Sequence, residues 1–462
     1  MKARAIIEYI LAALIVLILG ALSGWYFFLR TQTQSTQAQS AARGYETEIP
    51  SASGVESTAS VPETESAPQK QTPQASMPAP GEGFLSRMWN ALMGRGTGVS
   101  EPAGSVSFGE AASFSNAALQ IQTAPAQARP QQLWQVQNKP VAGMAFVQIG
   151  GNTRLRYVER SSGHVFDADP ETGSIVRLTN TLMPKIYEAI ITENHIIVRS
   201  LDAGDAITTF VGSIATSTQE DGATSTMRAL AGVQLAKNIM YVSADPRSTA
   251  LFYTVKDTDG VLGIRSEWNG TKQKQIFRSA LMNWRSTLLQ DGRTILAQAP
   301  LDSTLTHAYE LKGDGSLVRL LDPAPGLTIL PRSGGALLWG SSSGGSLGLF
   351  VKVNPSASSV QLPIRTIADK CVWAKADSPI AYCGVPQGIV ARNFIDEWYR
   401  GAAHSSDAIW RVDAGAGSAE LVYAPPTGTS IDVENLTLDS KGDYLSFTNA
   451  ADKSLWLFRL VK

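Results

Sequence analysis

The chain closes on LTLDSKGDYLSFTNAADKSLWLFRLVK, Leu436 to Lys462. It reads as strand, tight turn, strand, tight turn, strand, and then it stops. Apolar residues alternate or cluster over five or six positions, and Asp, Lys, Gly and Asn gather between them, which is the pattern of short antiparallel strands. Three strands alone leave an edge of unpaired backbone groups open to other chains. The arrangement therefore calls for a fourth strand from elsewhere.

The same order recurs upstream. DPRSTALFYTVKD is followed by VLGIRSEW, and TLLQDGRTILAQA by HAYELKGDGSLVRLL. LTILPRSGGALLWGSS is followed by LGLFVKV, and KCVWAKADSPIAYCGVP, after an interruption, by AIWRVDAGAGSAELVY. KIYEAIITENHIIVRSLD and LRYVERSSGHVFDADPETGSIVRLTN complete a set of about seven units. A period of roughly 47 residues with about four strands per unit matches the blades of a β-propeller, with six to eight blades allowed. A β-helix needs a shorter period, and a sandwich needs none. Third strands end on Asp169 or Asp413, or run into Lys312-Gly313, which marks tight hairpins to the outer strands. A propeller must close its ring. Leu133–Val136, in QQLWQVQNKPVAGMAFV, resembles the outer strands Ile175–Asn180 and Leu317–Leu321. It is expected to pair with the last blade as its fourth strand, so that the fold is all-β and residues 131–462 form one ring.

Upstream of the ring the composition changes twice. After MKAR, the run Ile6–Leu29 is almost wholly apolar and would span about 36 Å as a helix, enough to cross a bilayer. Trp25 and Tyr26 stand at its outer end, Lys2 and Arg4 precede it, and Arg30 follows alone. The positive-inside rule then leaves the N-terminus in the cytoplasm and the rest outside. A cleaved signal peptide would have a shorter apolar region and small residues at its end. Glu8 within the run has a parallel in type IV pilins, but the Gly preceding the mature pilin helix is missing. Residues 31–130 are rich in Ser, Thr, Gln, Ala, Pro and Glu, a composition that does not bury enough apolar surface to order itself. Within it, residues 84–94 (FLSRMWNALMG) carry helical apolar spacing, suited to a lipid surface, a partner, or the ring itself.

Chemistry is sparse. Lys plus Arg number 39 and Asp plus Glu 40, without the basic excess that nucleic acid requires. His164, His195, His307 and His404 fall in four different units with no ligand spacing. Gly344-Gly345-Ser346-Leu347-Gly348 matches the nucleophile-elbow pattern, which requires a strand-to-helix turn in an α/β sheet; here it lies between β-strands. Asp167, Asp169 and Glu171 alternate as in some calcium loops, but the Gly and the twelfth-position Glu of the EF-hand are misplaced or missing. Asn269 and Asn435 open sequons by pattern only. No metal ligand set, cofactor site or catalytic set emerges. Cys371 and Cys383 share one hairpin and face each other if the loop is Lys375–Pro379. A structural disulfide, buried thiols or a redox pair would each fit.

The least regular segment is QGIVARNFIDEWYRGAAHSSD, Gln387 to Asp407, which interrupts one unit between its second and third strands. Phe394, Asp396, Glu397, Trp398, Tyr399 and Arg400 form a candidate partner-binding loop, since aromatics beside charges make binding hot spots. Alternatively, Trp398 and Tyr399 fold back over a blade edge or into the central channel. Were the ring an enzyme acting on glycans, Asp396, Glu397 and Asp407 would be the first candidate acids.

KCVWAKADSPIAYCGVP, DEWYRG, SSDAIWRVD, TNTLMPKIYEA and NKPVAGMAF together resemble a group of uncharacterised proteins of candidate-phyla (Patescibacteria-type) bacteria. Those proteins combine one N-terminal span, a polar linker and a WD40-like propeller, and the last blade is similar to repeats of the TolB type. The resemblance implies a membrane-anchored propeller and no particular activity. The expectation is a non-enzymatic module outside the cell membrane, held to the lipid bilayer by residues 6–29 and binding an envelope protein or glycan. A glycan hydrolase or lyase, or a purely structural envelope protein, are the alternatives.

Overall fold

The structure is a computed structural model and describes residues 132–217, 227–247, 249–374 and 379–460. The expected membrane span 6–29, the linker 31–130 and the amphipathic segment 84–94 lie outside the described residues. Among the described residues no helix is long and apolar enough to cross a membrane.

Seven four-stranded antiparallel sheets follow one another along the chain. Their inner strands are Val141–Ile149, Ile186–Ile191, Ile239–Ala244, Trp284–Leu288, Thr328–Pro331, Cys371–Trp373 and Val433–Leu438, here numbered blades 1 to 7. The last sheet takes its fourth strand from the start of the domain. Leu133–Gln137 pairs antiparallel with Leu455–Arg459, with Leu133 opposite Phe458 and Trp134 opposite Leu457. The strand expected at Leu133–Val136 is thus present and one residue longer. The Arg459 amide donates to Gln132 O at 2.8 Å, and the Val141 amide donates to Lys453 O at 2.9 Å, so blade 7 is bonded to both ends of the chain entering blade 1.

Each blade is covered on both faces by its neighbours, and this explains why its middle strands are apolar runs rather than strict alternations. Leu251, Phe252 and Tyr253 are all buried, as are Leu445, Ser446 and Phe447. The core is a ring of wedges: Trp134, Val141, Tyr157 and Leu457 fill one between blades 7 and 1, and Leu338, Leu349, Ala381 and Val412 fill another between blades 5 and 6. Outer strands such as Leu317–Arg319 are exposed along their whole length.

The turn acids do the work their positions suggest. Asp169 Oδ1 accepts from the amides of Glu171 and Thr172 at 2.8 and 3.2 Å, and Asp413 does the same for Gly415 and Ala416. Asp169 also meets Arg154, and Asp167 receives a forked bond from Arg156 at 2.8 and 2.9 Å. The alternating acids are therefore a hairpin turn held by arginines. Gly344 and Gly345, both at positive φ, close the tight hairpin before Ser346. Cys371 and Cys383 are directly opposed and joined by a disulfide. Blade 4 carries one element with no sequence forewarning, a two-stranded ribbon of Leu305–Thr306 with Ala324–Pro325.

Candidate functional site

In an antiparallel blade the start of the inner strand and the connection between second and third strands lie at the same end. The seven inner-strand starts and the long insertion of blade 6 therefore share one mouth of the central channel. Four inner strands break register near that end, between Val141 and Gly143, Ile186 and Glu188, Ile239 and Tyr241, and Glu434 and Thr437. Such bulges turn side chains out of the ladder.

The insertion forms a seven-residue helix, Phe394–Arg400. It is too short to persist alone. Asp396 and Glu397 stand in its first turn and Arg400 in its last, matching the helix dipole, and Gly401 ends it in the left-handed conformation at φ 75°. Its own N-cap residue, Asn393, makes no capping bond. Asp302, from the second-to-third-strand connection of blade 4, supplies the cap. Its Oδ2 accepts from the Ile395 and Asp396 amides at 2.9 and 3.3 Å, and its amide donates back to Asp396 Oδ1 at 3.1 Å. Phe394, Ile395, Trp398 and Tyr399 are buried. Of the two alternatives for this loop, the aromatics fold inward against the channel. Glu397 and Arg400 remain partly exposed and pair with each other at 3.1 Å.

Beneath the helix lies a sealed polar cluster. Lys370 is fully buried, and its Nζ donates to Ser405 Oγ at 2.8 Å, to Asp407 Oδ2 at 2.6 Å and to Asp432 Oδ1. Three N–H groups thus meet three acceptors. Trp398 Nε1 donates to Asp432 at 2.9 Å while its ring lies 5.1 Å from the ammonium. Asp407 also accepts from the Val433 amide and from Ser405 Oγ, both at 2.8 Å. His404 Nδ1 sits 3.0 Å from the second oxygen of Asp432. Burial alone would raise the Asp432 carboxyl, but the Lys370 charge and the His404 and Trp398 contacts outweigh it and hold it well below the usual range. Asp407 goes the other way: burial, reinforced by the nearby Asp432 charge, pushes it up against the pull of Lys370.

A second cluster lines the channel. Arg285 Nη2 meets Asp369 at 2.5 Å and its Nη1 donates to Tyr399 Oη at 3.1 Å, and the Tyr399 hydroxyl also donates to Asp369. Burial would lower Arg285, yet Asp369 and the hydroxyls of Tyr399 and Tyr241 hold it well above its ordinary value. Glu188 is raised by burial in spite of Arg199, which it meets at 2.5 Å. Glu434 pairs with Lys453. A cavity of about 270 Å³ lies between these residues and the underside of Trp398 and Tyr399. Two polar atoms of its lining residues, Tyr187 Oη and Arg285 Nε, have no hydrogen-bond partner.

The acids named from sequence do not converge. Asp396 is engaged by Asp302, Glu397 by Arg400, and Asp407 by Lys370. Lys370, Asp432, Arg285, Asp369 and Glu188 were not legible beforehand. The one available signal was the charged pair Asp369-Lys370 set directly against the start of a buried strand. The histidines occupy four separate places: His195 stacks on Trp268 at 4.0 Å, His307 on Tyr309 at 5.9 Å, His164 meets Phe166 edge-on, and His404 faces Asp432. Among the described residues no group of three His, Cys, Asp or Glu is placed to hold a metal. Of the sequon residues, Asn269 lies in a hairpin turn, while Asn435 lines the cavity at φ 53°.

No family model matches the chain, and no curated protein matches it. Several solved structures are similar to it. An oligogalacturonate lyase from Vibrio parahaemolyticus is 10% identical with a TM-score of 0.46, over 74% of this chain and 97% of its own. TolB from Acinetobacter baumannii is 10% identical with a TM-score of 0.36, over 65% of this chain and 60% of its own. The β-propeller domain of the Trilobed protease from Pyrococcus furiosus is 8% identical with a TM-score of 0.37, over 57% and 77%.

Proposed function

We propose that this chain is a non-enzymatic binding module of the bacterial cell envelope. In this reading residues 6–29 anchor it in the cell membrane with the N-terminus cytoplasmic, residues 31–130 tether it, and the ring stands outside. The Cys371–Cys383 disulfide suits that oxidising side. The partner is a protein, and it docks on the channel mouth that carries the helix.

One observation carries the choice of face. Among the described residues the four most exposed large apolar side chains are Ile389 (103%), Leu182 (70%), Leu305 (61%) and Leu281 (54%). All four belong to connections at that mouth: two lead into inner strands and two join second to third strands. Exposed apolar groups gathered on one face mark interaction sites. What supports binding rather than catalysis is that Asp396, Glu397 and Asp407 each already hold an internal partner.

The test is affinity capture from crosslinked membranes with the full chain, comparing Leu182→Asp plus Ile389→Asp with Val360→Asp plus Leu421→Asp on the outer strands. Loss of one defined protein in the first variant alone supports the reading. Equal capture by both removes this face. Glycan cleavage by the wild-type chain that is lost in Asp396→Asn, Glu397→Gln or Asp407→Asn would instead establish the hydrolase or lyase alternative.

A further inference from the structure

We infer that the cavity under the helix is a binding site for a small, uncharged, polyhydroxylated molecule of one or two sugar rings. It is distinct from the protein-docking face, and it rests on different residues. At about 270 Å³ it stands near the lower end of small-molecule sites, which run from about 300 Å³ upward.

The wall selects the ligand by its charge balance. Arg285 is paired with Asp369, Lys453 with Glu434, and Glu188 with Arg199. Arg160 adds a positive charge, near Glu434, and its Nε donates to Ile186 O at 2.9 Å. The lining balances three cations, Arg160, Arg285 and Lys453, against three carboxylates, Glu188, Asp369 and Glu434, so an ionic ligand entering here finds no net opposite charge. A polyol has no such need. Each hydroxyl both donates and accepts, and the wall alternates carboxylate acceptors with guanidinium, ammonium and amide donors. Tyr241, which is only half-buried, adds aromatic surface, on which the apolar face of a sugar ring can rest. Asn435 is the most freely available polar group: its side chain is exposed, and its amide makes one long bond, 3.3 Å, to Thr448 Oγ1.

Titration calorimetry on the full chain in lipid nanodiscs tests this. The probes are D-glucose, D-galactose, N-acetyl-D-glucosamine and maltose, with acetate and inorganic phosphate as charged comparators. At least one neutral sugar is expected to bind with Kd below about 1 mM. Asn435→Gly, which keeps the left-handed backbone, and Tyr241→Phe should each weaken it about three- to tenfold, the worth of one hydrogen bond. Unfolding midpoints of both variants close to wild type show that the ring is intact, and Leu182→Asp should bind the sugar unchanged. Binding of no sugar, tighter binding of acetate or phosphate, or equal affinity in wild type and both variants would overturn the inference.

Discussion

Two polar clusters meet the same short helix, one at Trp398 and one at Tyr399, and they are built on opposite terms. Around Lys370, every donor and acceptor of the ammonium and of its two aspartates is matched, and water is shut out. Around Arg285, the ion pairs border a cavity and two polar atoms have no partner. A saturated buried network rigidifies and specifies a structure, while charged and amide groups that border a cavity can meet a ligand. The first cluster fastens the helix and the insertion to blades 6 and 7. The second is where recognition can occur.

Substitutions should separate the two. Lys370→Met strands two buried carboxylates, so it should cost about 3–5 kcal/mol in urea unfolding; a loss under about 1 kcal/mol would show that the cluster is not sealed. The disulfide begins at the very next residue and closes a short loop. Cys371→Ala with Cys383→Ala should cost about 2–3 kcal/mol under oxidising conditions and nothing further on adding reductant. Trp398→Phe removes one donor to Asp432 and should cost about 1–2 kcal/mol. Tyr187→Phe, on the open side, removes a hydroxyl without a partner and should change stability by no more than about 0.5 kcal/mol. A larger loss there would mean that the wall is as structural as the lock.

Acid offers a further contrast, because Asp432 and Glu188 titrate with opposite signs. Asp432 is held below its unfolded value, so its contribution is present above about pH 4 and is lost as pH falls. Glu188 is raised, so its contribution is present at low pH and is lost as pH rises through its folded value. The stability gap between wild type and Asp432→Asn should therefore narrow on going from pH 7 to pH 3, and the gap for Glu188→Gln should move the other way. Parallel pH profiles would break the distinction.

Much of the ring was legible because propeller strands announce themselves locally. Apolar runs bounded by Asp and Gly turns, repeated about seven times, need only short-range chemistry to be recognised. The closing strand was legible by the same logic, since Leu133–Val136 resembles the other outer strands and an open edge cannot stand. The opposed cysteines followed from register alone. Where the reading ran out was the channel. Lys370, Asp407 and Asp432 are separated in sequence, as are Arg285 and Asp369, and nothing in spacing or composition links them. Even the helix of blade 6 is capped by Asp302, from another blade. Sequence alone determined the strands, their turns and the need for a closed circle, because these depend on neighbours along the chain or on one face of a hairpin. Only the tertiary structure decided that Trp398 and Tyr399 turn inward and which charges meet, because closing a ring brings inner-strand ends together at distances that no local pattern encodes.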